Sequence, residues 1–141
     1  MQSLPRWSVL LLLPIGLLAG CTSLVPPPQA VLAGTWTLAT ATQGLLGPTT
    51  LVFDARGNLQ QISIKAAGNV DLVRNNPLSN TTVDGDQVSL DVNILLIGTL
   101  HFSGTLNPDM TVVTGQLTTD LNFLVANVII DNGAATLTKG Q

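Results

Sequence analysis

Short polar clusters recur along the chain. Asp54-Ala55-Arg56-Gly57-Asn58, Asp84-Gly85, Asn107-Pro108-Asp109 and Asp131-Asn132-Gly133 each interrupt stretches rich in Thr, Val, Ile and Leu. Glycine, asparagine and aspartate tolerate positive φ, and proline pre-sets the first bend of a turn. Each cluster therefore reads as a tight reversal between two extended segments. Segments this short, reversed this often, leave no room for helical crossovers and impose antiparallel pairing between sequence neighbours.

The pattern between the turns agrees. Trp36, Leu38 and Thr40 alternate with Thr35, Thr37 and Ala39 after Gly34, which suits a first strand with one apolar face. Thr50 to Asp54 and Leu59 to Ala66 flank the Gly57 turn and are expected to pair. Asn75 to Asn80, with Pro77 inside it, reads as a loop. Thr81 to Val83 and Gln87 to Asn93 meet at Asp84-Gly85, with Val88, Leu90, Val92 and Ile94 on one face and Ser89, Asp91 and Asn93 on the other. Leu95 to Leu106 pairs with Thr111 to Thr119 across Asn107-Pro108-Asp109. Asn122 to Ile130 is expected to pair with Ala134 to Thr138 across Asp131-Asn132-Gly133. Closing such a meander on itself removes exposed edges, so the expected architecture is all-β: a small antiparallel up-and-down barrel or half-barrel of about eight strands. Ile94 to Ile97 and Leu124 to Ile130 are apolar on both faces. Either something covers the outer face there, or these are short buried helices.

The first twenty residues follow a different logic. Arg6 supplies a positive start, and Trp7 to Leu18 is an apolar run broken only by Ser8, Pro14 and Gly16. A bilayer-spanning helix takes about 20 apolar residues, so this run reads as a cleaved export signal. It ends in Leu18-Ala19-Gly20-Cys21, which resembles the lipobox of bacterial lipoproteins. The resemblance implies cleavage after Gly20 and diacylglycerol on the Cys21 thiol, with acyl chains such as palmitate anchoring the new amino terminus. Each buried methylene contributes about 0.8 kcal/mol, so two or three chains hold nearly permanently. Thr22, where the enterobacterial sorting pattern has Asp for inner-membrane retention, implies passage to the outer membrane, with the domain facing the periplasm. In a cell with one membrane, the outer face of the plasma membrane is implied instead.

Residues 1–20 are thus the signal, 21–30 the lipidated cysteine and a stiff tether through Val25-Pro26-Pro27-Pro28, and 31–141 a single domain. Cys21 is the only cysteine, so the domain folds without disulfides. Arg6 leaves with the signal, and four Lys or Arg then face eight Asp, with no Glu and no Tyr. No basic patch exists to neutralise phosphates, which argues against a nucleic-acid partner.

Gly34-Thr35-Trp36-Thr37-Leu38, with Leu51-Val52-Phe53-Asp54, Gly57-Asn58-Leu59 and Val83-Asp84-Gly85-Asp86-Gln87-Val88, resembles the small bacterial lipocalin-like proteins of the calycin group. That resemblance implies a barrel whose Gly-x-Trp indole closes one end, and a small apolar ligand or lipid as cargo. Trp36, Phe53, Ile64 and Phe102 are the candidate lining. Large apolar residues inside a small barrel ordinarily fill it, however. Avidins share a Gly-Thr-Trp opening, but their pocket stacks several aromatic rings on biotin, and this domain offers only Trp36, Phe53, Phe102 and Phe123.

Signals for chemistry are weak. His101, the one histidine, shares a strand face with Ser103, but no nucleophile elbow surrounds Ser103 and no aspartate is placed by local spacing to orient the ring. Asp84-Gly85-Asp86 lacks the ligand series of a calcium loop, thiolates are absent, and no phosphate-cradling glycine motif occurs. The expectation is a non-enzymatic protein without metal or cofactor. It is a membrane-tethered lipoprotein that either binds a small apolar ligand or serves as an envelope assembly module docking through its exposed apolar strands.

Overall fold

The computed structural model describes residues 25–41, 46–66, 70–94, 98–123 and 125–141. The signal, Cys21 and Leu95 to Ile97 lie outside the described residues, as does Leu124. Nine strands follow a 3-10 turn at Pro28–Leu32. They are β1 (Gly34–Thr40), β2 (Leu46–Phe53), β3 (Leu59–Ala66), β4 (Val70–Asn75), β5 (Ser79–Asp84), β6 (Gln87–Ile94), β7 (Gly98–Leu106), β8 (Val112–Phe123) and β9 (Ala126–Lys139). They form one antiparallel sheet in the order β4-β3-β2-β1-β9-β8-β7-β6-β5, curled into a half-barrel. Chain neighbours pair, as the turn spacing predicts, and the first and last strands pair with each other, Trp36 opposite Lys139 and Thr40 opposite Ala135.

The two outer strands are joined by three residues. Successive antiparallel pairings give β4 and β5 the same sense, so together they form one bent strand that leaves β3 and arrives at β6. The ladder continues on both sides of the bend: the Asn76 amide donates to the Gln60 carbonyl at 2.7 Å, and the Asn93 amide donates to the Leu78 carbonyl at 2.8 Å. Buried Pro77, which has no N–H to satisfy, sits at the corner. The loop expected from Asn75 to Asn80 is therefore shorter than its sequence suggests. β4 itself was not expected, because as an edge strand it exposes Leu72 and Val73 alike and shows no alternation.

A larger correction concerns Asp131-Asn132-Gly133. These residues do not reverse the chain but form a bulge inside β9: Leu117 faces Gly133 and Thr118 faces Asp131, leaving Asn132 as the extra residue. Gly133 takes φ 71°, which a bulge of this kind requires as much as a hairpin would. The side chain of Asn132 turns inward and donates to Thr119 Oγ1 at 2.7 Å. The reversal between β8 and β9 falls instead between Phe123 and Ala126.

Inward faces of all the central strands meet in one cluster that includes Trp36, Leu38, Leu51, Ile62, Val88, Val92, Leu117 and Leu137. The 3-10 turn closes one end of it. Leu32 is fully buried, and its carbonyl accepts the Trp36 indole N–H at 2.7 Å. The turn Asp54 to Asn58 packs beneath it so closely that a Cβ on Gly57, at φ +82°, would lie 1.9 Å from the Gln29 carbonyl oxygen. That same turn is tied by the Asp54 carboxylate, which accepts the amides of Asn58 and Arg56, each at 2.9 Å. The bonds from Asn58 are the main reason that the Asp54 carboxyl titrates below the usual range.

Replacing the indole removes the only described partner that the Leu32 carbonyl finds in the core. Trp36→Phe is expected to lower unfolding stability by about 1–3 kcal/mol, read as a lower denaturant midpoint at unchanged slope.

Candidate functional site

The four residues proposed to line a ligand cavity all lie in the buried core. Trp36, Phe53, Ile64 and Phe102 are between 0% and 3% exposed and belong to the same cluster as their strand neighbours. The one polar atom among them, the indole nitrogen of Trp36, is already bonded to Leu32. A shallow depression of about 450 Å³ does exist, but it lies between two turns at the end of the sheet, lined by Asp86, Thr105, Asn107, Pro108 and Met110. It touches none of the four.

His101 is more elaborately placed than its sequence surroundings suggest. It sits on the outer face of β7, directly opposite Asp91 on β6, while Asp120 on β8 stands one diagonal step away, opposite Thr99. Asp91 Oδ1 lies 2.7 Å from Nδ1, and Asp120 Oδ2 lies 3.2 Å from Nε2. The imidazolium can donate an N–H to each carboxylate, whereas the neutral ring can donate to only one. The hydrogen bond to Asp91 accordingly raises the His101 pKa above 6.5, against the opposing effect of burial.

This arrangement decides what His101 can do. In the imidazolium both ring nitrogens donate to carboxylates, so that form has no nitrogen left to take a proton from Ser103, two residues along the same face. The imidazolium likewise offers no lone pair to a cation, and among the described residues no group of three His, Cys, Asp or Glu is placed to hold a metal ion. The geometry is that of a clip across β6, β7 and β8. Local spacing could not find the aspartates, because they come from neighbouring strands. A register anchored at the Ile94–Gly98 reversal, by contrast, places Asp91 opposite His101.

The third feature is an arm. β8 and β9 are the longest strands, and β1 stops pairing with β9 at Ala135, with one further bond from the Ala41 amide to the Ala134 carbonyl. Beyond that point, among the described residues, β9 pairs only with β8. Neighbouring residues there, which point to opposite faces, are both uncovered: Val125 is 96% exposed, Val128 43% and Ile129 73%. The two-faced apolar pattern of this segment thus belongs to a projecting ribbon and not to a buried helix. The corresponding stretch at Leu95 to Ile97 is outside the described residues.

The sign of the His101 effect is fixed by its direction. With the folded pKa above the unfolded value of 6.5, the clip contributes fully below pH 6.5 and is lost as pH rises through the raised folded value. At about two-fifths exposure the contribution is below about 1 kcal/mol. An NMR titration should place His101 above 6.5 in the intact protein and lower in Asp91→Asn. The unfolding midpoint of His101→Gln should lose the decline with pH that the parent shows in that window.

Compared with protein-family models, with curated proteins and with solved structures, the chain matches none of them, so its reading rests on the half-barrel and these three features alone.

Proposed function

We propose that the protein is a non-enzymatic envelope lipoprotein, anchored through acyl chains on Cys21, whose half-barrel serves as an assembly module and docks through the β8–β9 arm. The observation that carries the docking role is the contrast between inside and outside. Trp36 and Phe102, the large side chains that a carrier would offer to cargo, are spent on the core, while Val125 and Ile129 stand in solvent. Placing aliphatic side chains on both faces of this ribbon has no benefit for folding where, among the described residues, nothing covers Val125 and Ile129. Contiguous apolar surface of this kind is what interaction sites use. The anchoring half of the reading rests on Leu18-Ala19-Gly20-Cys21 and the apolar run before it.

Binding of a small apolar ligand, the function that a lipocalin-like barrel would suggest, draws less support, because the interior residues named for it are all buried in the common core. Carriage would need that cluster to open.

Each half has its own measurement. Mass spectrometry of protein purified from its host should find an amino terminus at Cys21 bearing added lipid mass, and Cys21→Ser should leave an uncleaved precursor. A chain that begins elsewhere and carries no lipid would refute the anchoring. Ile129→Asp, an exposed substitution, should change unfolding stability by no more than about 0.5 kcal/mol. In detergent extracts it should nonetheless shrink the native assembly, and an unchanged size would refute docking through the arm.

A further inference from the structure

The arm has an unsatisfied side as well as an apolar one. From Ala126 to Asp131, β9 has β8 on one edge and, among the described residues, no strand on the other. No described strand takes up the outward amides and carbonyls of this segment. The other two free edges of the sheet carry charge, Asp71 and Arg74 on β4 and Asp84 on β5, a common device against edge-to-edge pairing. From Leu121 to Ile130 the arm has no charged residue at all.

We infer that this edge pairs with the same edge of a second copy of the chain, β9 against β9 in antiparallel register centred on Val128, so that the protein assembles as a symmetric dimer. The inference rests on the docking role proposed above and names its partner. An apolar ribbon alone could equally be met by lipid or by a helix, but neither offers strand hydrogen bonds to an open edge, and burying such an edge in hydrocarbon leaves its N–H and C=O groups unpaired. A strand satisfies both requirements.

The sequence of the arm supplies a fitting one. Centred on Val128, antiparallel pairing sets Asn127 opposite Ile129 and Ala126 opposite Ile130 of the second copy, so branched aliphatic residues make up most of the ladder. Asp131, the first charge, falls opposite Val125 and not opposite another aspartate. The bulge at Asp131-Asn132-Gly133 ends the ladder at that point, which keeps the pairing to a short segment. The two-fold arrangement consumes both open edges at once and closes the assembly at two chains.

Val128→Cys tests the register in the full-length chain in its own membrane. Facing Cα atoms in such a pair lie about 4.5–5.5 Å apart, inside the range that a disulfide spans. Under mild oxidant, Val128→Cys should give a band of doubled mass. Thr37→Cys, exposed on β1, should remain single, and the unsubstituted chain reports any cross-link through Cys21. Adding Ile129→Asp to Val128→Cys should abolish the doubled band. If Val128→Cys cross-links no more than Thr37→Cys, or cross-links to a chain of different mass, self-pairing is overturned. The docking reading then still stands if Ile129→Asp alone shrinks the native assembly, and it falls with self-pairing if that size is unchanged.

Discussion

The β1–β9 ladder is the constraint on which the remaining structure depends. Residues 34–75 and 79–139 are each a meander that pairs only with its own neighbours, and a meander can form without long-range help. Two links turn them into one sheet: the three-residue bend at Pro77 and the pairing of the first strand with the last. The bend is covalent and cannot open, so the ladder must bear the cost of bringing the chain ends together. Trp36 sits on that ladder, opposite Lys139, with its indole tied to Leu32 and the Lys139 ammonium 5.6 Å from the ring centroid. One residue thus joins the ladder, the end-closing 3-10 turn and the core.

How far the sequence discloses this fold follows from which interactions are local. The turns at Asp54 to Asn58, Asp84-Gly85 and Asn107 to Asp109 are read correctly, because each is made by its own residues: the Asp54 carboxylate bonds to amides two and four positions on, and the Asn107 side chain accepts the Thr111 amide at 2.9 Å. β6 is equally plain, since alternate burial of Val88, Leu90, Val92 and Ile94 is what its alternation predicts. Failure begins where context decides. Asp131-Asn132-Gly133 has the composition of a hairpin turn, and whether Gly133 at positive φ reverses a chain or bulges it depends on the partner strand, here through Asn132 and Thr119. β4 escapes notice because an edge strand has no obligatory buried face. The carboxylates around His101 escape it because they are ten and nineteen residues away in the chain and adjacent only across the sheet.

Turn charges and the apolar arm lie at different ends of the domain. The turns at the end where the 3-10 turn sits contain Asp54, Arg56, Asp84, Asp86 and Asp109, whereas the arm at the opposite end is uncharged from Leu121 to Ile130. Between them the outer face holds the His101 clip, which binds β6 and β7 to β8, the strand that supports the arm. Val128 and Ile129 face Leu121 and Asp120 of β8, which themselves pair with Gly98 and Thr99 of β7, so the placement of this edge is set through β8 by the strands beside it. The clip and the buried Asn132–Thr119 bond both lie on these strands.

The same arrangement bears on the proposed anchor. The chain enters the fold at the 3-10 turn, among the charged turns, so a lipid on Cys21 would hold that end toward the bilayer and direct the arm away from it. Anionic headgroups would repel those acidic turns, so attachment at that end would rest on the acyl chains alone. Confinement to a surface also raises the local concentration of chains, and short linkers give effective concentrations of order millimolar, so a ladder of a few residues can assemble at the membrane and fall apart in dilute solution. Under the proposed anchoring a weak strand edge would then suffice, since pairing would be favoured where chains are held together at a surface and disfavoured where they are dilute.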